Sequence, residues 1–129
     1  MHILGFDHVQ LAMPRNEEDA ARAFYGALLG LDELPKPEPL AGRGGLWFRC
    51  GGLQLHLGVE EPFAPARKAH PAFRVQDYAG LLAKLSAGGI AVTADRVLPG
   101  VERAFVHDPF GNRIELVSAD GAGASGAGR

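Results

Sequence analysis

The chain has 129 residues, a formal net charge of −2 at pH 7, 22% charged residues and 47% hydrophobic residues. That length suits one domain, or two small halves sharing a core, able to bury roughly two thirds of the unfolded surface without disulfide staples. The balanced charge excludes a basic nucleic-acid surface, no apolar run reaches the roughly 20 residues that span a bilayer, and a single cysteine, Cys50, fits the reducing cytoplasm.

In chain order, the opening MHILGFDHVQ lacks the basic start and long apolar run of a signal peptide. Phe6 to Ala12 predicts a strand, with His8, Gln10 and Ala12 on one face and Val9 and Leu11 on the other. Asn16 is a good N-cap for a helix whose first turn carries Glu17, Glu18 and Asp19, and Gly30 is its stop. A short strand follows at Leu31 to Leu34. Pro35 to Gly45, with three Pro and three Gly, predicts irregular chain, either a plain connector or a loop over a pocket. Leu46 to Arg49 and Leu53 to Val59 predict strands around the turn at Cys50-Gly51-Gly52; Gln54 and His56 share the less apolar face of the second.

After a linker at Glu60 to Ala69 the pattern restarts. His70 to Val75 predicts a strand with His70, Ala72 and Arg74 on one face, and Pro71 suits its start or an edge position. Asp77 can cap a helix from Tyr78 to Ala87, which Gly88-Gly89 ends. Ile90 to Val97 and Val101 to His107 predict strands. Asp108-Pro109-Phe110-Gly111-Asn112 is a dense turn leading into Arg113 to Val117, where Arg113, Glu115 and Val117 share a face. Ala119 to Arg129 has too little apolar surface to offset its ordering entropy and is expected to be disordered.

The order is thus β-α-β-β-β twice, module one over about 5–59 and module two over about 70–118 of a single 1–118 domain. Aligning Gly52 with Gly111 sets His56 opposite Glu115, as His8 stands opposite His70. All four lie on the less apolar faces of the first and last strands of their modules. Two curled sheets facing each other would bring them together. The expected class is α+β, two βαβββ modules forming a curled-sheet cup.

DHVQLA at Asp7 to Ala12, AFYGALLGL at Ala23 to Leu31, HPAF at His70 to Phe73 and DPFGNRIEL at Asp108 to Leu116 together resemble the vicinal oxygen chelate superfamily. That superfamily includes glyoxalase I, extradiol dioxygenases, fosfomycin-resistance enzymes and metal-free bleomycin-resistance proteins. The resemblance covers Phe6 to Ser118. It implies a glyoxalase-like cup, His8, His70 and Glu115 as ligands of one divalent metal ion per site (Fe, Ni, Zn or Mn), a small-molecule substrate and a homodimer, since some members pair modules between chains. Glyoxalase I usually has a fourth ligand, a glutamate, on the last strand of module one; here that strand offers Gln54 and His56. The chain is therefore not a typical glyoxalase I. The Thr usual two residues after the first histidine in fosfomycin enzymes is Gln10.

Read without the family, a buried carboxylate at Glu115 needs a partner. A divalent cation with imidazole co-ligands meets that need, and so does a hydrogen-bonded His–Glu cluster without metal. Arg74 and Arg113 are candidates to bind a substrate carboxylate, or to form screened ion pairs. Gln10 and Gln54 could orient a ligand. Two functions stay open: a metal-dependent lyase, isomerase or oxygenase acting on a molecule with neighbouring oxygens, with Glu115 as base, or a metal-free small-molecule binding or resistance protein.

Overall fold

The computed structural model describes residues 1–120. The chain divides into two units, Met1–Ala66 with Pro109–Asn112, and Arg67–Asp108 with the chain from Arg113 on. In the first, β1 (His8–Met13), α1 (Glu18–Ala21), β2 (Asp32–Leu34), β3 (Leu46–Cys50) and β4 (Leu53–Val59) follow in order. The sheet runs β1-β4-β3-β2, with β1 parallel to β4 and the other pairs antiparallel. Its alternating apolar residues bury Leu11, Met13, Leu46, Phe48, Leu55 and Leu57 together with Phe24 and Tyr25 of the helix.

Local details differ from the sequence expectation. Asn16 does not cap α1: it takes a left-handed φ of 66°, and the cap position falls at Glu17 without a side-chain bond. The winding widens to π-type over Arg22–Leu28. Within Pro35 to Gly45, Glu38–Arg43 forms a 3₁₀ segment. The loop is tied down where Gly45 donates its N–H to Glu18 Oε2 at 2.9 Å.

The second unit repeats the layout: β5 (Ala72–Val75), α2 (Tyr78–Ala87), β6 (Thr93–Asp95), β7 (Arg103–His107) and β8 (Arg113–Ser118), in the sheet order β5-β8-β7-β6, with β5 parallel to β8. Tyr78, Leu85, Ala104, Val106, Ile114 and Leu116 are its buried apolar residues. Asp77 caps α2 by accepting from the Gly80 N–H. Ala119 and Asp120, the start of the expected tail, are bonded: Ala119 N–H reaches Val75 O at 2.8 Å, and Asp120 accepts from the N–H groups of Asp77 and Tyr78. The rest of the tail lies outside the described residues.

The turn between β7 and β8 belongs to the first unit. Asn112 is fully buried; its Nδ2 donates to Ala12 O at 2.8 Å, and its Oδ1 accepts from Ala66 N–H at 2.9 Å. Phe110 meets Phe63 edge-on. Among the described residues no helix is long and apolar enough to cross a membrane.

Candidate functional site

Strand alternation on β8 turns Ile114 and Leu116 one way and Arg113, Glu115 and Val117 the other. Register then sets Phe105 of β7 beside Glu115, His107 beside Arg113, and Asp95 of β6 beside Arg103. This builds a polar face in the second unit, centred on a carboxylate that is only 7% exposed. His70, just before β5, places Nε2 2.9 Å from Glu115 Oε1. Arg103 donates from Nη1 to Glu115 Oε2 at 3.2 Å and from Nη2 to Asp95 Oδ2 at 3.1 Å. Its Nε is buried with no hydrogen-bond partner among the described residues.

The His70 ring has acceptors on both sides. Nδ1 lies 2.8 Å from the carbonyl oxygen of Lys68, which can only accept, so Nδ1 carries a hydrogen. In a neutral ring, Nε2 is then a bare lone pair facing a carboxylate oxygen. A proton or a cation must stand between the two.

In the first unit, His56 lies on β4 between two rings. Trp47 stacks on it at 3.9 Å with planes 1° apart, and His8 on the other side at 4.2 Å and 19°. His56 Nε2 is 2.9 Å from Gln54 Oε1, and His8 Nδ1 is 3.0 Å from Asp7 Oδ2. Burial pushes the His56 pKa down, and the neighbouring His8 adds to the effect. Its ring therefore stays neutral near pH 7, with Nδ1 left as a lone pair by the Gln54 bond.

The expected residues thus gather as two pairs, His70 with Glu115 and His8 with His56. Gln54 bonds His56. Arg113 lies over the Phe105 ring, 4.0 Å from its centroid. Gln10 sits beside Gly58 on β4, where an added Cβ would lie 2.5 Å from its Nε2. Arg74 is exposed and has no ion pair among the described residues. No group of three or more His, Cys, Asp or Glu close enough to hold a metal occurs among the described residues. Sequence reasoning passed over Asp95 and ranked Arg103 below Arg74 and Arg113 among the candidate arginines; what joins the two is the pairing of β6, β7 and β8, which letters alone do not give.

A glyoxalase family protein from Bacillus anthracis, known from its crystal structure, is similar to this chain at 50% identity and a TM-score of 0.89, covering 92% of this chain and 97% of that one. The Arabidopsis thaliana protein called Glyoxylase I 4 is 28% identical over 130 residues, 93% of this chain and 74% of its own length. The fosfomycin resistance protein FosX from Listeria monocytogenes shares the fold, with a TM-score of 0.73 at 18% identity over 90% of this chain and 93% of that one. The family model described as Glyoxalase/Bleomycin resistance protein/Dioxygenase superfamily matches residues 5–116, and the chain belongs to that superfamily.

Proposed function

We propose that the protein is a cytoplasmic, metal-dependent enzyme acting on a small molecule with two neighbouring oxygens, within the lyase, isomerase or oxygenase chemistry of its superfamily. The ligands are His8, His70 and Glu115, with His56 as a fourth. The observation that carries this reading is the His70 ring: with Nδ1 committed to Lys68 O, the Nε2 lone pair and Glu115 Oε1 converge on a place that calls for a proton or a cation. A hydrogen bond from the far ring nitrogen to a carbonyl is the outer contact that orients a metal-binding imidazole. Imidazole and carboxylate donors suit Fe, Ni, Zn or Mn.

Bound there, a divalent ion would supply Lewis acidity to two adjacent substrate oxygens. Arg103 holds Glu115 by Oε2 and leaves Oε1 turned to His70, so the carboxylate presents one oxygen to the site. Glu115 is also the base we assign to the proton transfer that lyase or isomerase chemistry needs. Each unit offers two of the four positions, and we place the finished sites in a homodimer that pairs modules of different chains.

The same carboxylate favours a second reading. Arg103 and a protonated His70 would together balance its charge without any metal, as in a metal-free binding protein. Metal content decides between them. Untagged protein, purified without chelator or added metal and analysed by mass spectrometry, should carry near one metal per chain, and His70→Ala should lose it. A wild type that holds no metal, and takes up none when offered Ni, Fe, Mn or Zn, overturns the enzyme reading and leaves the binding protein.

A further inference from the structure

An open cleft of about 440 Å³ lies on the polar face of the second unit, and Thr93, Asp95, Arg96, Phe105, His107 and Arg113 line it. Its charges do not balance. The carboxylates of Asp95 and Glu115 are both taken by Arg103. Arg113 and Arg96 have no carboxylate within ion-pair distance among the described residues. The guanidinium carbon of Arg113 lies 4.0 Å from the centroid of the Phe105 ring, and its N–H groups make no hydrogen bond among the described residues. A guanidinium held against a ring has less freedom to lose when its fork meets two oxygens. His107, next to Arg113 in the β7–β8 register, adds a further donor. Unmatched positive charge on a concave wall concentrates potential for an anion, in a chain whose net charge is −2.

We infer that this cleft is an oxyanion site, taking the carboxylate, phosphate or phosphonate of a small molecule on Arg113, with Arg96 and His107 flanking. As a substrate subsite it rests on the enzyme reading above and sets the substrate class as anionic. As a binding site it needs no metal.

The test is calorimetric titration of the full chain, stripped of metal and kept at low chloride, with glycolate, inorganic phosphate and the neutral glycolamide as probes. At least one anion should bind once per chain, and glycolamide at least tenfold more weakly than glycolate; the tighter anion tells carboxylate from phosphate. Arg113→Gln should weaken anion binding at least tenfold. Arg113→Lys, which keeps the charge and loses the fork, should fall between. Arg96→Gln, at an exposed position, should weaken it at least threefold and decides the matter if Arg113→Gln does not fold. No saturable anion binding, glycolamide binding as well as glycolate, or folded Arg113→Gln or Arg96→Gln binding as the wild type does would overturn the site. Metal uptake by the wild-type protein is measured in parallel. Uptake without anion binding removes this inference alone, and anion binding without metal uptake removes the enzyme reading alone.

Discussion

His56 is buried between Trp47 and His8, and its pKa lies below the ordinary 6.5 because burial disfavours the imidazolium. The unfolded chain therefore binds a proton there more readily than the native one. The stability this gives is present above the unfolded pKa and is lost as pH falls through the lowered folded value. Replacing His56 with Phe keeps a ring in the stack and removes the titration. The drop in melting temperature between about pH 7.5 and about pH 5 should be smaller in His56→Phe than in the wild type; equal drops would show that His56 does not carry the effect. His8, His70, His56 and Glu115 could be picked out as candidates from sequence because the repeat puts each at an equivalent point of its module. The part played by Arg103 could not. An arginine on a strand reads as a solvated charge, and its tie to Asp95 and Glu115 exists only once three strands are in register.

Elements with a clean period were legible to the residue: α2 at Tyr78–Ala87 and β4 at Leu53–Val59 fall where alternation and the Asp77 cap set them. Elements shaped by packing were not. Phe24 and Tyr25 are neighbours in sequence, yet they are 1% and 0% exposed. An α-helix sets successive side chains about 100° apart, and the wider winding of Arg22–Leu28 lets both rings reach the core. The strand expected at Ile90 to Val97 shortens to Thr93–Asp95, an edge strand of the kind that limits unwanted pairing. The approach to β3 depends on Gly45, whose φ is +82° and where a Cβ would lie 2.1 Å from the carbonyl oxygen of Leu57. Gly45→Ala should cost about 2–3 kcal/mol of unfolding free energy in urea. Gly51→Ala, at φ +58° with open space around it, should cost about 1 kcal/mol. Equal costs would show that the backbone angle alone matters and the approach to Leu57 does not.

At the scale of the whole molecule, β1 and β5 each end their sheet, and Met1, Ile3, Leu4 and Phe6 stand exposed ahead of β1. The proposed homodimer should sediment at roughly twice 13.6 kDa. If its sites draw His8 from one chain and His70 and Glu115 from the other, mixing His8→Ala with Glu115→Gln protein after subunit exchange should restore one metal site per mixed dimer. Absence of recovery in dimers shown to have exchanged would place all ligands of a site on one chain. The βαβββ repeat was legible because turn glycines and apolar alternation recur in both halves. The membership of the last turn was not, since Asn112 bonds Ala12 across 100 residues of sequence. That turn bears on how the protein is made. When residue 66 leaves the ribosome, the first unit still lacks Pro109–Asn112, so it is complete only after Arg67–Asp108 of the second unit has emerged. The two halves are then completed almost together during synthesis. A nascent chain halted in the linker would leave the Ala12 carbonyl and the Ala66 N–H without the side chain that joins them.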